Sequence, residues 1–348
     1  MSTTMRAATR TTTQQATQSS VHRTPTMKAI VQDRYGSADI LRIDEIAVPV
    51  PADDEVLVRV HAAGLNHADA ALMRGEPLVL RLAYGIRGPK VRVRGLDLAG
   101  VVEAVGSEVT TFNPGDEIYA HIESGSFAEY AVVPERALAP KPANLSFTEA
   151  AAVPVAASTA LQGLRDVGRL QAGQRVLING ASGGVGTYAV QIAKALGAEV
   201  TAVCSTRNVE LVRSLGADHV VDYTRDDFTR SERRFDLLFD LAGSRSLTAC
   251  RRVVTQKGTL VLSGGGGGRL IGPLGRILRA VTLSPFVSQS LRPFISTPSV
   301  ENLLTLKGLI ESGKVAPSIE TTYRLEETAA AVEHFLDRHA RAKIVIVT

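Results

Sequence analysis

The apolar and polar positions in the N-terminal half follow the two-residue period typical of β-strands. The strictest alternation lies in Glu55–His61, where Val56, Val58 and Val60 share one face. Similar short runs, separated by turns rich in Gly, Pro and Asp, lie on both sides: Lys28–Gln32, Leu41–Ile46, Leu98–Val105, Glu117–His121 and Phe127–Val133. This pattern predicts a small β-rich domain.

A different pattern begins at Val176, where strand-like and helix-like segments alternate. The run Val176–Gly186 (VLINGASGGVG) predicts a strand and a tight turn, and apolar residues then recur at helical spacing in Thr187–Leu196. Downstream, Asn208–Leu215 is predicted to be a helix, and four further segments are predicted strands: Glu199–Cys204, His219–Tyr223, Phe235–Leu241 and Thr259–Leu262. This alternation indicates the α/β class with a doubly wound parallel sheet.

The glycine-rich turn has the chemistry of a dinucleotide site. In the pattern Ala181-x-Gly183-x-x-Gly186, Gly183 lets the backbone approach a pyrophosphate and Gly186 lets the helix pack closely on the strand. Backbone N–H groups at the helix start face the anion, assisted by a dipole of about half a charge. An ordinary strand-to-helix turn is the alternative, because Ala181 replaces the first glycine of the usual pattern. The predicted cofactor cradle comprises Ala181, Ser182, Gly183, Gly184, Val185 and Gly186.

The two ends of the chain have opposite characters. Residues 1–26 are rich in Ser, Thr, Gln and Arg, contain no acidic residue, and predict a disordered tail, with an organelle transit peptide as the alternative. The C-terminal region predicts ordered elements: a helix from Ser299 to Ser312, a strand at Ile319–Tyr323, a helix at Leu325–Arg338 and a strand at Lys343–Val347.

Three segments each leave two interpretations open. The basic segment Arg74–Arg94 predicts a solvated loop, with a phosphate or anionic-surface contact as the alternative. The run Gly264–Gly268 predicts either a flexible linker or a backbone that lies close to a cofactor. The basic, apolar segment that continues to Phe294 predicts a lid or a subunit contact, with a membrane-surface contact as the alternative.

Charge and composition exclude several classes of protein. Three of the 39 basic residues lie in residues 1–26, so the remaining 36 are balanced by 35 acidic residues and favour no nucleic-acid partner. The absence of a continuous run of about 18 apolar residues argues against stable membrane insertion. Cys204 and Cys250 are the only cysteines, which excludes a disulfide framework and a four-cysteine zinc site. A reducing compartment, the cytoplasm, is therefore expected.

Six short motifs occur in a fixed order: Gly64-Leu65-Asn66-His67-Ala68-Asp69, Gly95-Leu96-Asp97-Leu98-Ala99-Gly100, Gly115-Asp116, Gly125-Ser126-Phe127-Ala128-Glu129-Tyr130, Ala157-Ser158-Thr159-Ala160 and the turn Gly180–Gly186. In order and spacing they resemble the medium-chain dehydrogenase/reductase superfamily, and within it the zinc-free quinone oxidoreductase-like branch. The resemblance covers residues 27–348. It implies a GroES-like β-rich catalytic domain formed by residues 27–156 and 287–348, a Rossmann domain formed by residues 157–286, and an active-site cleft between them. It also implies a homodimer or homotetramer.

The resemblance also implies roles for individual residues. It places Asn66 and Thr159 near the nicotinamide, where Asn66 would offer an amide to an acceptor carbonyl and Thr159 a hydroxyl to cofactor or substrate. A purely structural role is the alternative for each. By the same resemblance, Ala242 and Gly243 would lie beside the ribose of the cofactor. Ser263, Gly264 and Gly265 would lie beside its carboxamide.

No metal site is predicted. The three zinc-ligand positions of related alcohol dehydrogenases correspond to Asn66, Leu96 and Val155, none of which binds zinc well. His67 and Asp97 lie nearby, but two ligands do not make the three that a catalytic zinc needs. Hydride transfer would then depend on positioning in a dry cleft.

The segment after the second strand of the α/β domain predicts NADPH rather than NADH. An NAD site has an acidic residue there that binds the ribose 2′-OH. Here Ser205, Thr206 and Arg207 offer two hydroxyls and a guanidinium, which suit a 2′-phosphate, and the resemblance adds Tyr223.

These observations predict an enzyme that transfers a hydride from NADPH to a small-molecule acceptor, a quinone or an α,β-unsaturated carbonyl. Some quinone oxidoreductases carry a tyrosine a few residues after the asparagine, whereas Ala71 stands there in this chain, so the acceptor is not fixed. An alcohol dehydrogenase and an NADPH-binding sensor without turnover are the alternatives.

Overall fold

A computed structural model describes residues 24–264, 274–337 and 341–348 of the protein. Within these ranges the strands form a six-stranded sheet, a seven-stranded sheet and a two-stranded ribbon. The predicted fold class, a GroES-like β-rich domain together with a doubly wound Rossmann domain, is confirmed.

The N-terminal part consists mainly of strands. Its strands are β1 (Thr26–Val31), β2 (Arg42–Ala47), β3 (Glu55–Gly64), β4 (Asp97–Val105), β5 (Glu117–His121), β6 (Tyr130–Pro134) and β7 (Leu138–Pro140). Its helices are α1 (His67–Arg74), α2 (Arg81–Tyr84) and α3 (Phe147–Ala151). The central strand is β3, which pairs antiparallel with β4 and β6 and buries Val56, Val58 and Val60, as the alternation predicts.

The middle part of the chain forms the Rossmann sheet. Its strands are β8 (Arg175–Asn179), β9 (Glu199–Cys204), β10 (His219–Asp222), β11 (Phe235–Asp240), β12 (Val254–Leu262) and β13 (Ser290–Pro293). Its helices are α4 (Pro154–Leu161), α5 (Gly184–Ala195), α6 (Val209–Ser214), α7 (Leu247–Arg252) and α8 (Leu274–Leu283). All neighbours in the order β10-β9-β8-β11-β12-β13 are parallel. The strand order reverses at β8, and open α/β sheets bind ligands at the carboxyl end of such a switch point.

The C-terminal part returns to the β-rich domain. It contains α9 (Val300–Glu311), β14 (Ile319–Arg324), α10 (Thr328–Asp337) and β15 (Lys343–Val347). β15 pairs antiparallel with β3, with Val345 opposite Gly64. The last strand of the chain therefore lies beside the segment that leads to Asn66.

One hydrophobic core spans the junction of the two sheets. It contains Tyr119 of β5 and Tyr188 of α5, both fully buried. The hydroxyl of Tyr119 donates to the carbonyl oxygen of Leu303 across 2.6 Å, and that of Tyr188 to Ala152 across 3.1 Å. Buried hydroxyls need such partners, and the bond from Tyr188 of the Rossmann domain to Ala152 joins the two domains.

The structure corrects two predicted boundaries. The return to the catalytic domain at residue 287 is too early, because Ser290–Pro293 is the edge strand of the Rossmann sheet and pairs with β12. An edge strand that contains Arg292 and Pro293 has no apolar alternation by which to be recognised. The tail predicted as residues 1–26 is too long, because Thr26 pairs with Ala47 and the carbonyl oxygen of Pro25 accepts from Val48. Residues 1–23 lie outside the described residues.

The basic segment Arg74–Arg94 is not simply a solvated loop. It contains α2, and the guanidinium of Arg81 lies 4.5 Å above the ring centre of Tyr35. Arg92 forms an ion pair with Asp33 across 2.6 Å. The side chain of Arg94 is buried, and its Nε donates to Gln32 across 3.0 Å. Three of its basic side chains therefore have partners within the chain.

Candidate active site

The glycine turn has the geometry that a dinucleotide cradle requires. Gly180 has φ +93°, and Gly183 is the N-cap of the twelve-residue helix α5. A Cβ at Gly186 would lie 2.1 Å from the carbonyl oxygen of Gly180, so only glycine fits where the helix meets the turn. A Cβ at Gly183 would have its nearest neighbour 3.6 Å away, so this glycine leaves open space at the helix N-terminus. The roles of these two glycines in binding a cofactor remain predictions.

The glycine turn is joined to the predicted 2′-phosphate site by a residue that the sequence analysis missed. The amide of Asn208 donates to the hydroxyls of Ser182 and Ser205, across 2.9 and 3.3 Å. Asn208 is buried, and its Oδ1 has no hydrogen-bond partner among the residues that the structure describes. Its position after a strand resembles an ordinary helix cap, so the sequence offered no signal for this bridge.

The predicted 2′-phosphate residues lie together at the ends of β9 and β10. Arg207 is exposed on a 3-10 turn, and Tyr223 is 53% exposed on the neighbouring strand end, with its N–H bonded to Cys204. Thr206 donates to the carboxylate of Asp222 across 2.5 Å. This bond, together with those from Thr224, lowers the pKa of Asp222 below its usual value.

The predicted ring end of the cofactor site is organised by Asp240, the last residue of β11. Its carboxylate accepts from Gly243 N across 2.9 Å and from Asn179 across 2.7 Å, and its carbonyl oxygen accepts from Ser263 and Gly264. A Cβ at Gly264 would lie 1.7 Å from the carbonyl oxygen of Leu241, so the backbones there are in close contact. Ala242 lies exposed in the same turn.

Arg276 of α8 completes this arrangement. Its guanidinium is hydrogen-bonded to the carboxylate of Asp240 and to the carbonyl oxygen of Gly264, and its side chain is 13% exposed. The sequence predicts a lid or a subunit contact for the segment that contains Arg276 and gives no sign of this internal role, because Arg276 and Asp240 lie 36 residues apart. Gly265 and the remainder of the glycine run lie outside the described residues.

Asn66 lies in a buried cluster on the opposite side of the cleft. It caps α1, immediately after β3 ends at Gly64, where a Cβ would lie 2.3 Å from the carbonyl oxygen of Ala151. The Nδ2 of Asn66 donates to Asp97 across 3.0 Å and to the carbonyl oxygen of Gly64 across 3.2 Å. Its Oδ1 accepts from Lys343 Nζ across 2.7 Å. Every hydrogen-bonding atom of the amide therefore has a partner.

Asp97 connects Asn66 to the first turn of α4. It is fully buried, and its two oxygens accept from the backbone N–H of Val155 across 2.8 Å and from Asn66. Thr159 lies one turn after Val155, and its hydroxyl donates to the carbonyl oxygen of Val155 across 2.7 Å. The oxygen of Thr159 can therefore act only as an acceptor while this bond persists.

The predicted zinc-ligand positions converge on Asp97, but their chemistry does not suit a metal. Leu96 precedes Asp97 and is buried, Val155 contacts Asp97 through its backbone, and both side chains lack ligand atoms. The ring of His67 packs edge-on against Phe335, with 4.6 Å between ring centres. Among the described residues, no group of three or more His, Cys, Asp or Glu side chains is arranged to hold a metal.

Two titratable groups border the Asn66 cluster. Burial, reinforced by the negative charge of Asp97, raises the pKa of Asp69 to about 7, although its carboxylate accepts from the backbone N–H of Asn66 across 2.9 Å. Burial also lowers the pKa of His121, whose Nδ1 has no hydrogen-bond partner within the described part of the chain. Neither residue was predicted, because isolated Asp and His residues carry no pattern.

Comparisons with known proteins agree with this architecture. Residues 52–143 match the family described as the alcohol dehydrogenase GroES-like domain, and residues 215–346 match the zinc-binding dehydrogenase family. Among solved structures, the fold is similar to the quinone oxidoreductase from Coxiella burnetii, with a TM-score of 0.81 and 27% identity over 93% of this chain and 100% of that chain. No described helix has the length and apolar character needed to cross a membrane.

Curated relatives cover nearly the whole chain. It is 35% identical to the 2-methylene-furan-3-one reductase of Solanum lycopersicum, over 92% of this chain and 79% of the relative. It is 34% identical, with the same coverage, to a chloroplastic protein of Arabidopsis thaliana named NADPH-dependent alkenal/one oxidoreductase. It is 33% identical to the chloroplastic quinone-oxidoreductase homolog of Spinacia oleracea, over 92% of this chain and 98% of the relative.

Proposed function

The chain belongs to the medium-chain dehydrogenase/reductase superfamily, in its zinc-free quinone oxidoreductase-like branch, and we propose that it reduces quinones and α,β-unsaturated carbonyls with NADPH. Two kinds of observation support this function: the acceptor classes in the names of the chain's relatives, and the geometry of the chain itself. One observation favours it over the alcohol dehydrogenase alternative.

That observation is the chemistry around Asp97. Alcohol oxidation requires removal of the hydroxyl proton, and a catalytic zinc assists by polarising the oxygen. Leu96 and Val155 stand at two of the three ligand positions and have no atom that could coordinate a metal. Hydride addition to an enone or quinone spreads the developing charge over a conjugated system instead, so fixed hydrogen-bond donors can stabilise it.

The cleft residues supply these fixed groups. When bound, NADPH supplies the hydride for the electron-poor carbon of the acceptor, and a proton from solvent completes the reduction. Of the two bonds from Asn66 Nδ2, the 3.2 Å bond to Gly64 is the longer, so this hydrogen is the one that an acceptor oxygen takes over. Thr159, whose hydroxyl hydrogen is donated to Val155, would accept a hydrogen bond from the cofactor or the substrate.

NADPH is proposed as the nicotinamide cofactor because the residue types expected at the adenosine end of the site suit a 2′-phosphate. Ser205, Thr206 and Arg207 follow β9, where an NAD site carries an acidic residue. The nearby carboxylate of Asp222 is held by Thr206 and Thr224. The glycine turn Ala181–Gly186 would hold the pyrophosphate, with Ala242, Gly243, Ser263 and Gly264 along the ribose and the ring.

The proposal extends to assembly and location. We expect a homodimer or homotetramer that works on a small-molecule substrate in the cytoplasm, with an organelle as the alternative, since some relatives are named as mitochondrial or chloroplastic. An NADPH-binding sensor without turnover is the alternative function.

The test is product formation by the purified protein. With NADPH and a short alkenal, the expected outcome is loss of NADPH absorbance in a one-to-one ratio with the saturated aldehyde, identified by mass. With 9,10-phenanthrenequinone, the hydroquinone is expected. Tight NADPH binding without turnover on either acceptor would contradict the proposal and favour the sensor.

A further inference from the structure

We propose that Lys343, the first residue of β15, is a positioning residue that fixes and polarises the amide of Asn66. The inference rests on the proposed function, because Asn66 matters to turnover only if the chain reduces an acceptor. Lys343 itself is 2% exposed, and its ammonium is hydrogen-bonded to the side-chain oxygen of Asn66. It acts through another residue rather than on the reacting atoms.

The ammonium of Lys343 has a complete and specific set of acceptors. It donates to Asn66 Oδ1 across 2.7 Å, to the carbonyl oxygen of Leu65 across 3.0 Å and to Asp97 across 3.3 Å. Three donors meet three acceptors, so nothing remains for a ligand. The shortest of the three bonds is the one to the Asn66 amide.

This arrangement determines which way the amide faces. Lys343 can only donate and the carboxylate of Asp97 can only accept, so the oxygen of Asn66 must point to Lys343 and its nitrogen to Asp97. A cation bound to the amide oxygen also draws electron density from the N–H groups, which strengthens the bond that they donate. Negative charge that develops on an acceptor oxygen is thereby connected to a buried ammonium through one amide.

Lys343 also connects the amide to the cofactor turn. A Cβ at Gly184 would lie 3.1 Å from Cδ of Lys343, so the lysine stem passes beside the glycine turn. The preceding residue, Ala342, donates its N–H to the carbonyl oxygen of Ser182 across 2.8 Å and has φ +62°, which is unusual for a residue with a side chain. The backbone that carries Lys343 is thus held by the turn that would bind the pyrophosphate.

The first experiment compares Lys343→Met with a matched control, Lys141→Met. Lys141 is also a buried lysine, whose ammonium donates to two carbonyl oxygens, of Leu145 and Pro142, and lies 3.1 Å from the carboxylate of Glu117. Lys343→Met should lower kcat about ten- to a hundredfold, the value of one hydrogen bond to a charged group, with little change in NADPH affinity. Lys141→Met should leave kcat unchanged. An unchanged kcat in Lys343→Met, or an equal loss in the control, would overturn the proposal.

The second experiment asks whether Lys343 acts through Asn66. In a double-mutant cycle, adding Lys343→Met to Asn66→Ala should cause no further loss of kcat, because the amide to be positioned is already gone. If the fold-decreases in kcat of the two single variants multiply in the double variant, Lys343 acts by another route and the proposal is wrong. If Lys343→Met does not fold, Lys343→Gln keeps a neutral donor for the carbonyl oxygens, and the same fall in kcat is expected.

An NMR measurement that requires no turnover distinguishes a failure of this inference from a failure of the proposed function. The side-chain amide of Asn66 gives an NMR signal that is assigned by its loss in Asn66→Ala. In Lys343→Met or Lys343→Gln, this signal should shift and its hydrogens should exchange with water faster than in the wild type. If the wild type reduces no acceptor, the proposed function fails, and the amide signal still decides the role of Lys343. An unchanged signal would contradict that role.

Discussion

The backbone N–H of Ala342 donates to the carbonyl oxygen of Ser182 across 2.8 Å, which fastens the last strand of the catalytic domain to the glycine turn of the Rossmann domain. Lys343 follows Ala342 directly and reaches Asn66. The predicted cofactor cradle and the predicted acceptor side of the cleft are distant in sequence, and they are joined through the adjacent residues Ala342 and Lys343.

Alanine substitutions at two glycines of the turn should have different effects, one on the stability of the fold and the other on cofactor binding. Gly186→Ala places a Cβ 2.1 Å from a backbone oxygen and should destabilise the fold by about 1–3 kcal/mol or more. Gly183→Ala meets nothing closer than 3.6 Å, so it should leave the melting temperature nearly unchanged and weaken NADPH binding, because its Cβ occupies space at the helix N-terminus. Thermal melts and NADPH fluorescence titrations measure both. The reverse pattern would contradict the assignment of the two glycines.

Arg207→Ala should change the cofactor preference. A charge-assisted hydrogen bond contributes about 1.5–3 kcal/mol, so NADPH should bind roughly ten- to a hundredfold more weakly, whereas NADH affinity should barely change. Arg213→Ala is a suitable control, since Arg213 lies on the next helix and pairs with Glu210. Equal losses for NADPH and NADH would show that Arg207 does not contact the 2′-phosphate.

Asn66→Ala should lower turnover and leave NADPH affinity nearly intact. The amide would act on the acceptor rather than on the cofactor, so its loss should reduce kcat and kcat/KM together. Asn144→Ala removes a comparable structural amide, one that donates to the carbonyl oxygen of Ile310 across 3.0 Å, and should not affect kcat. Steady-state kinetics combined with direct NADPH titration provide the comparison. A loss of NADPH binding without a change in kcat would exclude the assigned role.

Asp69→Asn should make the stability of the protein less dependent on pH. Burial raises the folded-state pKa of Asp69 to about 7, whereas the ordinary value is 3.8, so the folded state binds the extra proton between these values. Stability therefore falls as the pH rises through this window, and the full penalty is present above about pH 7. Asparagine cannot ionise and can still accept from the backbone N–H of Asn66.

The measurement for Asp69 is the free energy of unfolding at about pH 5 and about pH 8. The variant should show a smaller decrease between them than the wild type, by at least about 1 kcal/mol, which corresponds to less than one unit of pKa shift. Asp116→Asn, at an exposed carboxylate that accepts from Asn113 N, is the control and should behave as the wild type. Parallel pH profiles for Asp69→Asn and the wild type would contradict the expectation.

The sequence allowed the local features to be predicted, and the structure adds the distant contacts. The turn at Gly183 and Gly186 was identifiable because its glycines, strand and helix are adjacent in the chain. Lys343 contacts Asn66 across 277 positions, and Arg276 contacts Asp240 across 36, so no local pattern could reveal either pair. Such contacts depend on how β15 pairs with β3 and how α8 packs on its sheet, which periodicity does not determine.

The zinc-ligand positions show a second limit of the sequence. The residue types at Asn66, Leu96 and Val155 led to the prediction that no metal is held there. They could not show that the space is organised around Asp97, which binds Asn66, Val155 and Lys343 at once. The predicted amide donor, Asn66, is thus already hydrogen-bonded, and its role depends on neighbours that only the fold brings together.

Whether this protein is a zinc-independent enone reductase is decided by comparing enone reduction with alcohol oxidation in chelator-treated protein. One preparation is assayed with a short alkenal and NADPH, and with benzyl alcohol and NADP⁺, at saturating cofactor. We expect clear turnover of the alkenal, unaffected by the chelator, and slower or undetectable oxidation of the alcohol. The reason is that Asn66 offers an amide donor, whereas the side chains of Leu96 and Val155 cannot bind a metal. Faster oxidation of the alcohol in the same metal-free preparation would contradict this expectation.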